Sequence, residues 1–321
     1  MKRKYWDLLS IMLLLVLVFL SLMTGSSRSS MEEVFRALQD PSDPLRYIVL
    51  DLRLPRTFAA IVCGMVLGIS GAVFQAVLKN PMADPYILGI SSGGSLGAAI
   101  GISLGISSVT FPSLLGGLTA SLLILLLSLR HQSQTRLILS GVAINYLCSS
   151  LMTLFMLLEH ERYERILFWT MGSLSASSGR QAAITSVVLA GTCIPLLFLT
   201  KELDMMLLDT SSALSMGLDI QRYRAVFVLL PTIAVSVCVS FYGVIGFVGL
   251  LAPHLSRILK GPKHRSLLPA SGICGAVLLL SSDIVCRVIL PSGEMPVGVI
   301  TSLLGTPVLL LMLHRGRYQY G

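Results

Sequence analysis

The sequence predicts an all-α membrane protein, and three observations lead to this fold class. The 321 residues are 54% hydrophobic and 12% charged, whereas a soluble domain carries about 25% charged residues. The mean hydropathy is +0.81. The apolar residues are gathered in charge-free runs of about the 20 residues that a bilayer-crossing helix needs. A chain of this composition cannot cover a soluble core with polar surface, so lipid is its expected solvent.

Ten membrane spans follow from these runs. Six runs suit one helix each, and two longer ones, 85–129 and 225–256, are each long enough for two helices. Their interruptions lie near Pro112 and Gly243. The predicted spans are 8–24, 57–78, 91–108, 112–129, 137–158, 181–200, 225–242, 244–260, 267–287 and 296–314. We expect a single transmembrane domain, 1–321, that retains its first apolar run. The amphipathic segment 201–224 is too polar to cross.

Basic residues predict the orientation of the spans. Lys2 and Lys4 precede the first span, and an even number of spans returns Arg315 and Arg317 to the same side. Every lysine then falls on this side, which is predicted to be cytoplasmic. The net charge of +8 is therefore interpreted as a topology signal. Nucleic-acid binding is not favoured, because the charges sit singly in short loops.

Small residues recur inside the predicted spans. Gly64 and Gly68, and the series from Gly93 through Gly97 and Gly101 to Gly105, repeat every four residues and so share helix faces, which favours close helix packing. Six cysteines also lie in spans and form no C-x-x-C pair, so we interpret them as apolar packing residues. They are Cys63, Cys148, Cys193, Cys238, Cys274 and Cys286. No metal site or cofactor is expected.

Four groups of motifs distinguish the chain. They are RLPR at 53–56; GAVFQ at 71–75 with NPMADPYILG at 80–89; GFVGL at 246–250 with PHLSR at 253–257; and EMPVG at 294–298 with GTP at 305–307. In order and separation they resemble the FecCD family of ABC-importer permeases, from about Leu52 to Arg315. Members of that family carry iron–siderophores, haem and vitamin B12.

The resemblance implies a ten-span permease in the bacterial cell membrane, arranged like a vitamin B12-importer permease. Such a permease pairs with a second copy or a paralogue, binds two ATP-binding cassette subunits in the cytoplasm, and receives a chelated-metal substrate from an extracytoplasmic binding protein. The chain has no G-x-x-x-x-G-K-[ST] motif, so ATP hydrolysis is expected on the partner, and the chain is not expected to be an enzyme.

We therefore expect iron–siderophore import by alternating access, with haem or cobalamin import as the alternative. A stand-alone secondary transporter is the hypothesis from another class. It would need coupling-ion residues at mid-membrane. Asp283 is the only carboxylate predicted near a span interior, and Arg287, four residues on, is its candidate partner.

Three arginines are predicted on the outer side, against the positive-inside trend: Arg53, Arg56 and Arg287. The resemblance implies that Arg53 and Arg56 receive acidic residues of the binding protein. The alternative is that they reach lipid phosphates from the helix end. For Arg287 an ion pair with Asp283 on one helix face and a role in docking remain equally open.

The cytoplasmic segment 201–224 contains a predicted short helix, which Asp209 or Thr210 can cap and Gly217 can end. In the family this position couples the permease to a cleft of the ATPase; the alternative is a helix lying on lipid. The residues predicted to couple are Leu208, Asp209, Ser212, Ala213, Leu214 and Gly217.

Two further groups are candidates for a role in transport. Asn80, Pro81, Asp84 and Pro85 form an inner loop, which we interpret as a fixed bend with an inner gate as the alternative. Ser140, Asn145, Ser149 and Thr153 form a polar stripe on the fifth span. The stripe is predicted either to line the translocation path or to form hydrogen bonds between helices.

Overall fold

Helices are the only regular secondary structure in the described part of the chain. The computed structural model describes residues 2–25, 30–129, 134–290 and 293–314, and they contain no strand. The α-helices are α1 Lys2–Met23, α2 Met31–Gln39, α3 Leu45–Tyr47, α4 Leu54–Val77, α5 Ile90–Ser103, α6 Thr110–Leu129, α7 Gln134–Leu158, α8 Tyr163–Thr170, α9 Gly179–Val188, α10 Ile194–Phe198, α11 Thr200–Met205, α12 Thr210–Ser215, α13 Ile220–Tyr242, α14 Val248–Lys260, α15 His264–Val288 and α16 Val297–His314. A π-helical turn at Ile48–Arg53 joins α3 to α4, and another at Leu189–Cys193 joins α9 to α10.

Seven helical stretches within the described ranges are long and apolar enough to cross a membrane. They are Trp6–Met23, Leu45–Val77, Thr110–Leu127, Arg136–Leu158, Gly179–Phe198, Ile220–Tyr242 and His264–Val288. The apolar helix Val297–Leu311 is shorter and corresponds to the predicted tenth span. The all-α fold class is confirmed, whereas ten spans and the side of each terminus remain predictions.

The third and eighth predicted spans are shorter than expected. Span 91–108 corresponds to α5, which has 14 residues and ends at Ser103. Span 244–260 corresponds to α14, which begins only at Val248 and has 13 residues. The prediction that Gly105 shares a helix face with Gly93 is wrong, because Gly105 lies beyond α5 with a φ of +70°.

Irregular backbone occupies the depth that these two short helices leave. The loop before α5 folds back into the bundle, where Pro85 packs on Gly249, and Gly249 in turn faces the carbonyl of Leu67 halfway along α4. The Tyr86 hydroxyl donates to the Ile245 carbonyl at 3.0 Å and accepts from the Ile245 amide at 3.1 Å. Irregular backbone at membrane depth is tolerated where protein buries it and satisfies its polar groups.

Helices α4 and α15 form the antiparallel centre of the bundle. A Cβ placed on Gly68 would lie 2.1 Å from the Ser271 carbonyl oxygen, and one on Gly64 would lie 2.4 Å from that of Gly275. The two backbones therefore approach closely enough that only glycine fits, which confirms the predicted close packing. Gly93 and Gly97 make similar contacts with α6, at Gly116 and Pro112 respectively.

The two ends of this central pair differ. One end holds the start of α4, the end of α15 and the end of α1, where the hydroxyls of Ser21 and Thr57 lie 2.6 Å apart. The other end holds the start of α15 and the polar segment around α11 and α12. Lys260, at the end of α14, forms an ion pair with Asp7 near the start of α1 and lies over the Trp6 ring.

The six cysteines are all free. Five of them are buried, and Cys274 is partly buried. The structure places these thiols among the packed helices, as the sequence predicts.

Candidate functional site

Arg56 is the centre of a buried charge cluster at one end of the α4–α15 pair. Its Nε donates to Asp283 Oδ1 at 2.9 Å, and its Nη2 lies 2.8 Å from the same oxygen. Its Nη1 donates to Glu294 Oε2 at 2.7 Å and to Oε1 at 2.9 Å. Arg56 is only 8% exposed and Asp283 is fully buried, while 35% of the Glu294 side chain is exposed. Buried charges persist where such pairing satisfies them.

Arg287 and Arg53 extend this cluster to the end of α1. Arg287 forms an ion pair with Asp283 and donates to the Ser21 carbonyl at 2.9 Å. Arg53 donates to the Leu22 carbonyl at 2.7 Å. The last carbonyls of a helix have no partner within it, so the two guanidinium groups supply the C-terminal cap of α1.

The predicted Asp283–Arg287 pair is thus present, and Arg56 and Glu294 complete it. All three candidate docking arginines are buried and have partners inside the chain. A docking role for Arg53, Arg56 or Arg287 is untested by this geometry. The sequence did not reveal the Arg56–Asp283 contact, because the two residues are 227 positions apart.

The predicted coupling helix is α12, at the opposite end of the bundle. Asp209 caps it by accepting from the Ser212 amide at 3.1 Å. Gly217, at φ +81°, follows its last turn, and the Leu218 amide donates to the Ala213 carbonyl at 3.1 Å. These contacts form a standard N-cap and a glycine C-terminal motif, as the residue types predict.

The apolar residues of α12 are divided between two surfaces. Ala213 is 1% exposed and packs into the core, whereas Leu214 is 57% exposed. Leu208 and Met216 are exposed as well. Of the residues predicted to couple, Ala213 is therefore buried and anchors the helix, whereas Leu214 is free to meet a partner; their coupling role stays a prediction. Hydrogen bonds from Ser211 and Ser212 hold the pKa of Asp209 below its ordinary value.

The loop of Asn80, Pro81, Asp84 and Pro85 is a fixed bend. Asn80 Oδ1 accepts from the Met82 amide, and Asp84 Oδ1 accepts from the Tyr86 amide, both at 2.9 Å. These are Asx turns, which Asn and Asp form readily. The loop enters the helix bundle, where Pro85 contacts Gly249 of α14. A gating role is untested.

The stripe on α7 divides between the two predicted roles. Asn145 accepts from the Ser92 hydroxyl of α5 at 2.6 Å, which is a hydrogen bond between helices. Ser149 and Thr153 are exposed, and Thr153 Oγ1 donates back to the Ser149 carbonyl at 2.9 Å. Ser140 donates to the Arg136 carbonyl at 2.6 Å. The outward face of α7 therefore carries hydroxyl groups among its exposed leucines.

An open groove of about 730 Å³ lies between α8, residues 244–246 and α16. It is mainly apolar, and Thr170, Ser302 and Thr306 are the hydroxyl residues along it. Thr170 and Ser302 lie outside the sequence motifs and had no local signal. For Thr306, the sequence signal was the GTP motif at 305–307, in which Pro307 interrupts the apolar run of α16.

Three comparisons relate this architecture to known proteins. The model of the FecCD transport family matches residues 13–315. The hemin transport system permease protein HmuU of Yersinia pestis is 35% identical over 319 residues, covering 96% of this chain and 95% of its own. The vitamin B12 import system permease protein BtuC of Shigella boydii is 34% identical over 322 residues, covering 97% and 95%.

A solved structure extends the similarity to three dimensions. It is described as an inward-facing conformation of a metal-chelate type ABC transporter, is 30% identical, and superposes with a TM-score of 0.87 over 95% of this chain and 97% of that one. Sequence, fold and family model agree over nearly the whole length. The chain belongs to the FecCD transport family, whose members are ABC-transporter permeases of the cell membrane.

Proposed function

We propose that this chain is the membrane subunit of a binding-protein-dependent importer that carries an iron–siderophore or a related metal chelate. A separate ATPase supplies the energy, and the pathway alternates between the two sides of the membrane. The observation that carries this proposal is the capped helix α12, which is anchored by Ala213 and presents the exposed Leu214. An exposed apolar face on a short, fixed helix suits a groove on a partner protein.

The class of cargo is proposed from the similar proteins. Their names record hemin, vitamin B12 and a metal chelate, which are all bulky and chelated. The groove beside α16 offers a mainly apolar wall with a few hydroxyl groups, and such a surface lets a large ligand pass without holding it tightly. Haem and cobalamin remain the alternative cargoes.

A second permease copy or paralogue completes the pathway in this proposal. The exposed face of α7 mixes the hydroxyl residues Ser149 and Thr153 with leucines, whereas the exposed residues of α1 include the apolar Leu13, Val16 and Phe19. Apolar side chains suit lipid, whereas hydroxyl groups suit a protein interface or a polar path. We propose that α7 faces the partner or the path, and that α1 faces lipid.

The secondary-transporter hypothesis is weakened by the state of Asp283. A coupling-ion site needs a carboxylate that is free to bind the ion. Asp283 is instead fully buried between Arg56 and Arg287.

Reconstitution tests the proposed function directly. The permease is co-expressed with its ATPase and binding protein, purified, and placed in vesicles that receive a labelled ferric hydroxamate chelate, hemin or cobalamin. We expect a complex with the mass of two permeases and two ATPases, and uptake of one of the three labelled compounds that requires ATP. Uptake without an ATPase, or a permease that binds none, would contradict the proposal.

A further inference from the structure

The segment that carries α12 is attached to the central helix pair by a contact that the family motifs do not include. Asp204 of α11 lies at the first turn of α15. Its Oδ1 accepts from the His264 backbone amide at 3.1 Å and lies 2.5 Å from His264 Nδ1. His264 is 1% exposed, while Asp204 is partly exposed.

This contact is an N-terminal cap that comes from another helix. The first amides of a helix need an acceptor, and Lys263, which precedes α15, supplies no side-chain cap. The Asp204 carboxylate takes that place and also carries the charge that the positive end of a helix favours. Burial acts to raise the pKa of Asp204, but the hydrogen bonds and charge of His264 outweigh it, so the pKa lies below its ordinary value.

A second contact fixes the same segment to α4. Lys79, just past the end of α4, donates from Nζ to the Leu208 carbonyl at 2.5 Å. Leu203, which precedes Asp204 in α11, is fully buried. The segment is thus held at Asp204 by the start of α15 and at Leu208 by the end of α4.

The central pair itself spans the bundle. Helix α15 has 25 residues, or about 37 Å at 1.5 Å per residue. Its far end carries Asp283 and Arg287 in the arginine cluster, and the glycine contacts with α4 leave little space for sliding. Movement of α12 reaches this pair through the Asp204 and Lys79 attachments.

We propose that Asp204 is a positioning residue for energy coupling. By capping α15 from α11 it makes the α12 segment and the central helix pair move as one body. This inference rests on the proposed function, since it assumes an ATPase that moves α12.

The test compares Asp204→Ala with Asp204→Asn in the reconstituted transporter described above. Alanine removes the acceptor, so we expect ATP hydrolysis within twofold of wild type and at least a threefold loss of cargo transported per ATP. Asparagine keeps an acceptor oxygen, so we expect at least half of the wild-type ratio. Asp219→Ala is the matched control, because Asp219 caps only its own helix through the Arg222 amide.

The amides of residues 264–267 give a readout that does not depend on cargo. Their hydrogen exchange should quicken at least tenfold in Asp204→Ala and remain near wild type in Asp204→Asn and Asp219→Ala. Unchanged exchange and an unchanged transport-to-ATP ratio in Asp204→Ala would overturn the proposal, as would an equal loss in Asp219→Ala.

Two other outcomes are also informative. If Asp204→Ala does not assemble with the ATPase, His264→Ala is compared with wild type in its place. This variant keeps the backbone amide that Asp204 caps but removes the imidazole ring. We expect an intermediate loss of transport per ATP there, and no loss would overturn the proposal. If the wild-type chain binds no ATPase, the proposed function fails, whereas quickened exchange in Asp204→Ala would still identify the cap.

Discussion

The arginine cluster shows what single residues of this sequence predict and what they leave out. Asp283 and Arg287 are four positions apart, so their shared helix face and their pairing follow from the sequence. Arg56 joins them only through the fold, and Glu294 reaches Arg56 from the segment before α16. Pairing between residues more than 200 positions apart depends on how helices pack, which no local spacing specifies.

Arg53 provides a residue-scale prediction about docking. We expect Arg53→Glu to weaken capture of the binding protein at least tenfold, because an acidic partner would meet a like charge. Pull-down of the binding protein by the assembled transporter measures this. Arg180→Glu, an exposed arginine at the start of α9, is the control and should capture normally. Normal capture by an assembled Arg53→Glu variant would contradict a docking role for Arg53.

Tyr86 provides a second prediction at this scale. Its hydroxyl satisfies both backbone groups of Ile245, and an unsatisfied buried polar group costs about 1–3 kcal/mol. We therefore expect Tyr86→Phe to lower the free energy of unfolding by about 2 kcal/mol, measured by denaturation in detergent. Tyr146→Phe, on the exposed face of α7, should have little effect. Equal stabilities for the two variants would show that Tyr86 is not needed to hold the loop.

At the scale of elements, hydrophobic runs predicted where helices lie better than how long they are. The runs located α5 and α14, but each helix is four residues shorter than its predicted span. Residues 80–89 and 243–247 sit at membrane depth without forming an α-helix, because Pro81, Pro85 and Gly243 interrupt the pattern. Apolar composition predicts which residues lie within the bilayer. Whether they form a helix also depends on where their backbone groups find hydrogen-bond partners.

The contact between α4 and α15 gives a prediction for a pair of helices. Gly68→Ala would place its Cβ 2.1 Å from the Ser271 carbonyl, so the helices must separate. We expect the free energy of unfolding to fall by about 1–3 kcal/mol. In Gly191→Ala the added Cβ would meet no atom within 4 Å, and we expect no loss. Thermal unfolding of the two purified variants checks this, and a stable Gly68→Ala would mean that the pair tolerates separation.

The coupling helix α12 gives a prediction about transport. Leu214 is exposed on a helix that Ala213 anchors, so Leu214→Asp should leave the fold intact and place a charge on the proposed ATPase contact. We expect at least a tenfold loss of ATP-driven uptake with a normal yield of folded permease. Leu122→Asp is unsuitable as a control, because it would break a membrane helix. Ser215→Asp lies on α12, like Leu214→Asp, but replaces one polar side chain with another, so this control variant should transport. Unaltered uptake by Leu214→Asp would refute the coupling role.

At the scale of the whole molecule, the packing gathers the lysines at one end. Lys79 contacts the α12 segment, Lys260 pairs with Asp7, and Lys263 precedes α15. The arginine cluster lies at the other end of the central pair. This separation agrees with the orientation that the positive-inside rule predicts. The lysines that share one end come from distant parts of the sequence, so the fold brings them together.

Reporter fusions test that orientation. A green fluorescent protein fused after Gly217 should fluoresce, and alkaline phosphatase fused after Ser175 should be active, because the two positions are predicted in the cytoplasm and outside, respectively. The reversed pair of fusions is the control and should be silent. Active phosphatase after Gly217 would place α12 outside the cell, where an ATPase could not reach it.

The native cysteines have a practical consequence. Five of the six thiols are buried between helices and the sixth is partly buried, so a maleimide reaches most of them only when neighbouring helices part. The rate at which a maleimide modifies the native thiols therefore measures how often the helix bundle opens. Because Cys193 lies on the π-helical turn and Cys286 beside the arginine cluster, mass spectrometry of each labelled peptide would show which region opens first.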